Sequence, residues 1–216
     1  MPKRRVIAYV DGFNFYYRRL RNKPYRWLDL VRFFEQFFPD DELVMVRYFT
    51  ADVGGKFDPQ KPLRQQAYLR ALATLPKLQI IKGSYLTKKA KYPLVTEDGA
   101  LEFAQVWRSE EKGSDVNLGA HLMNDAWDDA YDVAAVLTND ADLATPMQMV
   151  KARGKTVLWF YPDNNQSKSL QNSATGLVHI HDKQLRDAQL PDSVVLANGK
   201  IMTKPASFYA PLTEYA

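Results

Sequence analysis

The sequence predicts an α/β fold in which a mainly parallel central sheet is covered by helices on both faces. Segments typical of strands alternate with segments typical of helices along most of the 216 residues, and this order produces parallel strands joined by helices. Several strand segments are continuous apolar runs, which is typical of strands that are buried on both faces. The length and a hydrophobic fraction of 46% are sufficient for one domain with its own core.

The first half of the chain contains predicted strands and helices separated by proline, glycine and polar residues. Residues 6–10 are an apolar run that ends at Asp11 and Gly12, which predicts a buried strand followed by a turn. The other strands are rich in β-branched and aromatic residues, and they span residues 43–50 and 78–86. The predicted helices span residues 13–20, 28–37 and 63–75.

The second half begins with a predicted β-hairpin, because the pair Asp98 and Gly99 lies between the apolar segments 92–95 and 101–107. We expect this hairpin to be an insertion or an antiparallel edge of the sheet. The remaining predicted helices, the first with Ser114 as its N-cap, span residues 114–127, 143–153 and 167–174. The remaining predicted strands span residues 131–138, 155–161 and 177–180.

The C-terminal region differs from the rest of the chain. Residues 189–216 mix proline and polar residues with scattered aromatic residues, and they show no clear period. We therefore expect a domain over residues 1–190 and a C-terminal extension over residues 191–216. The extension or an aromatic surface could join two copies of the chain, so a homo-oligomer stays open.

The composition excludes several classes of protein. The absence of cysteine excludes a disulfide scaffold, a Cys-ligated zinc site, an iron–sulfur cluster and thiol catalysis. No apolar run approaches the roughly 18 residues of a membrane helix, so we expect no membrane partner. The short apolar run near the N-terminus is interrupted by Asp11, which predicts a strand rather than a signal peptide, and the cytoplasm is the expected compartment. The sequence contains no glycine-rich phosphate loop, so it gives little support for a nucleotide cofactor.

Charge is unevenly distributed along the chain. Residues 1–26 carry eight Lys or Arg and one Asp, whereas residues 108–142 carry nine Asp or Glu and two basic residues. A basic surface beside an acidic cluster is expected of a metal-dependent enzyme that acts on a polyanion, although ordinary solvated faces give the same pattern. Arg18 and Arg19 lie beside tyrosines. This arrangement is expected of a surface that binds a single-stranded nucleic acid. It is expected equally of an aromatic stripe in the core with solvated charges between the rings.

Two aspartates lie just beyond the ends of predicted strands. Asp11 follows the first strand and Asp140 follows the strand at residues 131–138. If these strands are neighbours, both acids lie at one edge of the sheet, where α/β proteins bind ligands. Asp142 is two residues further on, and Asp115 lies in the first turn of a predicted helix. Each acid could instead serve in a turn or at a helix start, but several acids at one edge repel one another unless a cation holds them.

The types of ligand indicate which cation the acids would hold. Carboxylates together with an amide such as Asn14, without cysteine, favour Mg²⁺ or Mn²⁺. Such a site suits phosphoryl chemistry, because the metal lowers the pKa of a bound water and neutralises charge on the scissile phosphate.

Three blocks of sequence carry a resemblance to a known family. They are YVDGFNFYY at residues 9–17, KGSDVNLGAHLMNDA at residues 112–126 and YDVAAVLTNDADLATPMQMVKARGKTV at residues 131–157. In this order and at these spacings they resemble the NYN domain, a PIN-like nuclease group that includes LabA-type proteins. The resemblance extends from about residue 5 to residue 190. It implies a PIN-like α/β/α sandwich with a metal-dependent ribonuclease site.

The resemblance implies roles for individual positions of this sequence. The acids that would bind the metal and catalyse the reaction are Asp11, Asp115, Asp140 and Asp142. The residues that would contact the substrate or shape its site are Asn14, Lys112, Thr138 and Asn139, to which the basic N-terminal segment adds Arg18 and Arg19. Two positions depart from the family pattern. Asn139 replaces a glycine of many relatives and could narrow the site, and His121 replaces an acid of some relatives.

These observations lead to one main hypothesis and two alternatives. The main hypothesis is a Mg²⁺- or Mn²⁺-dependent endoribonuclease that cleaves single-stranded or structured RNA and, by the resemblance, leaves a 5′-phosphate. The first alternative is an RNA- or protein-binding regulator that keeps the fold without meaningful turnover. The second is an interaction protein that forms an oligomer through its tail or its aromatic surface.

Overall fold

The computed structural model describes residues 2–96, 99 and 101–209 of the chain. The strands there are β1 (Arg5–Asp11), β2 (Glu42–Thr50), β3 (Leu78–Lys82), β4 (Ser84–Pro93), β5 (Phe103–Lys112), β6 (Val133–Leu137), β7 (Thr156–Tyr161), β8 (Gly176–His179), β9 (Ser193–Val195) and β10 (Ile201–Thr203). The helices are α1 (Gly12–Phe15), α2 (Leu30–Glu35), α3 (Gln60–Leu72), α4 (Ser114–Trp127), α5 (Ala144–Ala152), α6 (Lys168–Ser173) and α7 (Asp182–Asp187). A π-helical turn (Tyr16–Leu20) continues α1, and 3₁₀ turns form at Ala141–Leu143 and Ala206–Phe208. No helix in this part of the chain has the length and apolar character needed to cross a membrane.

Six of the strands form one parallel sheet in the order β3-β2-β1-β6-β7-β8. The chain starts in the middle of the sheet at β1, moves outward through β2 to β3, and returns on the other side of β1 as β6. The strand order therefore reverses between β1 and β6. In open parallel sheets, ligands bind beyond the carboxyl ends of the strands at such a reversal. The predicted parallel α/β fold is confirmed, and its strand order determines where a site can form.

Helices cover both faces of this sheet. On one face, α4 and α5 pack against a core that includes Tyr9 and Val136. On the other face, α2 and α3 enclose a core rich in aromatic rings, among them Phe34 and Phe160, whose centroids lie 5.2 Å apart in an edge-to-face arrangement. Burial of a large apolar side chain contributes roughly 1.5–3 kcal/mol. With helices on both faces, the expected α/β/α sandwich is confirmed. Its most buried strands are β1 and β6, and the candidate site lies at their carboxyl ends.

The predicted strand at residues 78–86 is divided at Gly83, which separates β3 of the parallel sheet from β4 of an antiparallel ribbon with β5. The backbone N–H of Gly83 donates to the carbonyl of Thr50 at 2.7 Å. A Cβ atom on Gly83 would lie 2.6 Å from the carbonyl oxygen of Lys112, so the close approach of the two chains requires glycine here. The predicted hairpin exists and is longer than expected, while its predicted turn falls partly on residues 97, 98 and 100, which lie outside the described residues.

The region after residue 190 has more regular structure than its sequence indicates. Strands β9 and β10 pair as a short antiparallel hairpin, and a 3₁₀ turn follows. Phe208 of this turn is 7% exposed, and its ring packs 4.9 Å from Trp27 and 6.3 Å from Tyr68. The chain therefore folds back onto the core against Trp27 and α3, where Phe208 also lines a cavity.

Candidate active site

Asp11, the last residue of β1, joins the carboxyl ends of β1 and β6. Its Oδ1 accepts a hydrogen bond from the backbone N–H of Asn14 at 2.9 Å and so caps α1. Its Oδ2 accepts a hydrogen bond from the hydroxyl of Thr138, the first residue after β6, at 3.0 Å. Because Asp11 is only 5% exposed, its two carboxylate oxygens are held by these bonds in a mostly dry environment.

The loop that follows β6 presents Asp140, and hydrogen bonds hold its backbone. Oγ1 of Thr138 accepts from the backbone N–H of Asp140 at 3.0 Å. Oδ1 of Asn14 accepts from the backbone N–H of Asn139 at 3.0 Å. Oδ1 of Asp140 accepts from the N–H of Asp142 at 3.0 Å and caps the 3₁₀ turn that starts at the next residue. Asn14 and Thr138 therefore fix the position of the loop, whatever they contact in a complex.

Asp115 reaches the same edge from the first turn of α4. The expectation that Ser114 caps this helix is wrong, because Ser114 is already its first residue. Gly113 occupies the cap with a φ of 91°, a conformation that favours glycine. The carboxylate of Glu111 takes over the capping hydrogen bond, since its Oε1 accepts from the N–H of Ser114 at 2.9 Å. This places a second acid, Glu111, beside Asp115.

The pKa values show that the acids influence one another. Burial raises the pKa of Asp11 to about 7, the charges of Asp115 and Asp140 add to this rise, and the hydrogen bonds from Asn14 and Thr138 oppose it. Burial also raises the pKa of Asp115 to about 6, with further contributions from Asp140 and two other nearby acids. Perturbed carboxylates at the ends of neighbouring parallel strands are typical of functional sites. The edge formed by β1, β6 and α4 is therefore the candidate active site.

The donor set fits a hydrated divalent cation better than a cation enclosed by protein ligands. Within the described ranges, no three acidic or histidine side chains stand close enough to form a complete metal site on their own. Mg²⁺ usually keeps several waters and binds through one or two carboxylates, so an open carboxylate cluster is compatible with it. Asn139 is 8% exposed, and its Oδ1 accepts no hydrogen bond from any described residue. A water of a hydrated ion could supply the missing donor.

The structure separates the residues predicted to contact the substrate. Arg18 pairs with Asp163 at 2.9 Å, and Asp163 also accepts from Nδ2 of Asn139 at 3.3 Å, so Arg18 is connected to the loop after β6. Arg19 instead pairs with Asp182 at the start of α7. Lys112 is exposed at the end of β5, with its ammonium 3.7 Å from Glu110.

Two residues of the site do not follow from the sequence reasoning above. Asp163 follows β7 at the carboxyl edge of the sheet, so the rule that identified Asp11 and Asp140 would also have identified it. Glu111 has no comparable signal, because its role depends on the turn between β5 and α4 rather than on a local pattern.

Comparisons with known proteins agree with this geometry at the level of the family and the fold. Residues 5–181 match the NYN domain family. The chain is also 30% identical over 240 aligned positions to the 6-hydroxy-3-succinoylpyridine 3-monooxygenase of Pseudomonas putida, covering 95% of this chain and 75% of that protein. Among solved structures it is similar to a protein of unknown function from Vibrio parahaemolyticus, with a TM-score of 0.53, 19% identity, and coverage of 87% of this chain and 97% of the other. At that identity the likeness concerns the fold alone.

Proposed function

The chain belongs to the NYN domain family, a nuclease-type family, and from this we propose that it is a Mg²⁺- or Mn²⁺-dependent endoribonuclease. The observation that carries the proposal is the acidic cluster at the reversal of the strand order. Burial and neighbouring acids raise the pKa of Asp11 to about 7 and that of Asp115 to about 6. Carboxylates that repel one another in this way favour a bound cation, which a polyanionic substrate also requires.

The residues of the site divide into three roles in the proposal. The cation would be held by Asp11, Asp115, Asp140 and Asp142, directly or through water. It would supply charge neutralisation at the scissile phosphate and a more acidic water molecule. Asn14 and Thr138 keep the loop after β6 in place, so that Asp140 stays at the sheet edge beside Asp11. Arg18, tied to that loop through Asp163, and the exposed Lys112 would contact phosphates of the strand.

The proposal is tested with a labelled single-stranded RNA in the presence of Mn²⁺, Mg²⁺ or EDTA. The wild type should cleave only with a divalent cation, and Asp140→Asn should not cleave. The fold should survive this change, because asparagine caps a helical turn as well as aspartate does, and thermal unfolding verifies it. Asp128→Asn, at the exposed C-terminal end of α4, is the matched control and should cleave like the wild type. Cleavage by Asp140→Asn at the wild-type rate would remove Asp140 from the mechanism.

One observation favours a second candidate function. The relative from Pseudomonas putida is named as a monooxygenase of a pyridine compound, and the alignment with it covers 95% of this chain. A monooxygenase reaction consumes O₂ and two electrons from a reductant, whereas hydrolysis of RNA consumes neither. Oxygen uptake that requires both a reductant and 6-hydroxy-3-succinoylpyridine, in a preparation without RNA cleavage, would favour this candidate. Tight RNA binding with neither activity would favour the regulator.

A further inference from the structure

A cavity of about 100 Å³ lies next to the candidate active site, and Gly12 lines it. Tyr48 and Leu20 of its wall belong to the aromatic core that contains α3. The helix that carries Asp115 packs on the opposite face of the sheet. The cavity and the acidic cluster are therefore separate spaces that meet at the turn after β1.

The walls of the cavity are mainly aromatic. They include rings from the first turns after β1, from β2, from α3 and from the 3₁₀ turn near the C-terminus, namely Phe13, Tyr16, Tyr17, Tyr48, Tyr68 and Phe208. The Phe13 and Tyr17 rings lie nearly parallel, at an interplanar angle of 11° and a centroid distance of 6.4 Å. Flat walls of this kind suit a planar ring, since aromatic rings stack with favourable geometry.

Tyr48 offers a polar group at the side of the cavity nearest to Asp11. Its ring packs directly against Gly12. A Cβ atom on Gly12 would lie 2.6 Å from Cζ and 2.7 Å from the hydroxyl oxygen of Tyr48. Tyr48 is 7% exposed, and its hydroxyl makes no hydrogen bond to any residue that the structure describes. Because Tyr48 lines the cavity and its hydroxyl is not engaged by a described residue, that hydroxyl can donate to, or accept from, a ligand in the cavity.

The charged residues that line the cavity are all cations. They are Arg26, Lys61 and Arg64, and no described acid lines it. Lys61 donates to the hydroxyl of Tyr17 at 3.1 Å and forms no ion pair with any described residue. Arg64 pairs with Asp58, which lies outside the lining. The electrostatic complement of this wall is an anion, and Lys61 is the cation best placed to receive it.

From these observations we propose that the cavity binds a single planar aromatic ring that carries an anionic group. The ring would lie between the tyrosine walls, a polar atom of the ring would bond to the Tyr48 hydroxyl, and the anion would contact Lys61. A volume of about 100 Å³ is below the roughly 150 Å³ of a closed cavity that encloses a benzene molecule, so this cavity holds one ring at most and the rest of the ligand lies outside it. A pyrimidine nucleotide and a pyridine carboxylate share this chemistry, and the inference requires no cleavage or oxidation.

Isothermal titration calorimetry in EDTA measures this binding without the proposed cation site. The probes are uridine 5′-monophosphate and pyridine-3-carboxylate, with uridine and inorganic phosphate as half-ligands. We expect at least one of the two complete probes to bind, and each half-ligand to bind more weakly by about tenfold or more. Binding of the nucleotide alone identifies an RNA subsite, and binding of the carboxylate alone identifies a small-molecule site.

Variants locate the binding. Lys61→Ala should weaken it by about tenfold or more, and Tyr48→Phe, which removes only the hydroxyl, should weaken it less. Arg70→Ala on the exposed face of the same helix is the matched control and should bind like the wild type. The proposal is overturned if neither complete probe binds, if phosphate or uridine binds as tightly as the complete probe, or if Arg70→Ala weakens binding as much as Lys61→Ala. Because the titration is done in EDTA, it measures binding without metal-dependent cleavage. Its outcome therefore does not depend on whether the chain cleaves RNA.

Discussion

Replacing Asp11 with asparagine tests how the buried carboxylate affects the stability of the fold. In the native state the pKa of Asp11 is raised from 3.8 to about 7, chiefly by burial. The native state therefore binds more protons than the unfolded chain between about pH 4 and pH 7. Consequently the contribution of Asp11 to the free energy of unfolding is most favourable at low pH and is lost as the pH rises through 7. Asparagine has no charge and should be free of this loss.

The size of the effect follows from the pKa and the hydrogen bonds. A rise from 3.8 to about 7 is about 3 units at about 1.4 kcal/mol each, so ionised Asp11 costs the native state about 4 kcal/mol. Asparagine can still accept from the N–H of Asn14, but the hydroxyl of Thr138 loses its acceptor, which costs about 1–3 kcal/mol. We expect the variant to be more stable than the wild type by about 1–3 kcal/mol at pH 8. At pH 4 it should be equal or less stable.

Urea unfolding in EDTA, measured from pH 4 to pH 8, determines this difference at each pH. Asp41→Asn is the control, because the ion pair with Arg4 lowers the pKa of Asp41, so that Asp41 is ionised in both the native and the unfolded state above about pH 5; the stability that this variant loses should therefore stay nearly constant from there to pH 8. The reasoning about Asp11 would be refuted if the difference between Asp11→Asn and the wild type stayed constant from pH 4 to pH 8.

Three further predictions concern neighbouring features. Gly12→Ala should lower the free energy of unfolding by about 1–3 kcal/mol, because its Cβ would lie 2.6 Å from Cζ of Tyr48; an unchanged urea midpoint would contradict this close approach. Phe208→Ala should lower it by about 3–5 kcal/mol, since the ring is buried against two others; a loss below about 1 kcal/mol would mean that the C-terminal turn does not close the core. The affinity for Mn²⁺ should fall as the pH drops from 8 to 6, because Asp11 and Asp115, with pKa values of about 7 and 6, must lose protons on binding; calorimetry that shows no proton release would count against these two ligands.

The sequence predicts the sheet and the position of the acids because both depend on local signals. The apolar runs at β1 and β6 end at Asp11 and Thr138, and parallel strands bring such ends to one edge. The sequence underestimates the length of the hairpin, because both faces of β4 and β5 are largely exposed and show no apolar alternation. The burial of Phe208 follows from its contacts with distant residues and leaves no period in its own segment. The cavity leaves no local signal either, since its walls come from four separated parts of the chain.

The hydrogen bonds of Asp11 separate its structural role from the role of its charge. Joining β1 to β6 requires an acceptor for the N–H of Asn14 and an acceptor for the hydroxyl of Thr138, and a neutral amide provides the first and loses the second. The negative charge adds only a cost to the unliganded fold, because burial and two nearby acids oppose it. If Asp11→Asn is more stable at pH 8, the fold does not need the negative charge. Binding of a cation would then be the reason for an aspartate at this position. If the variant is less stable at every pH, the carboxylate is a structural link, and the case for a cation would depend on Asp115, Asp140 and Asp142 alone.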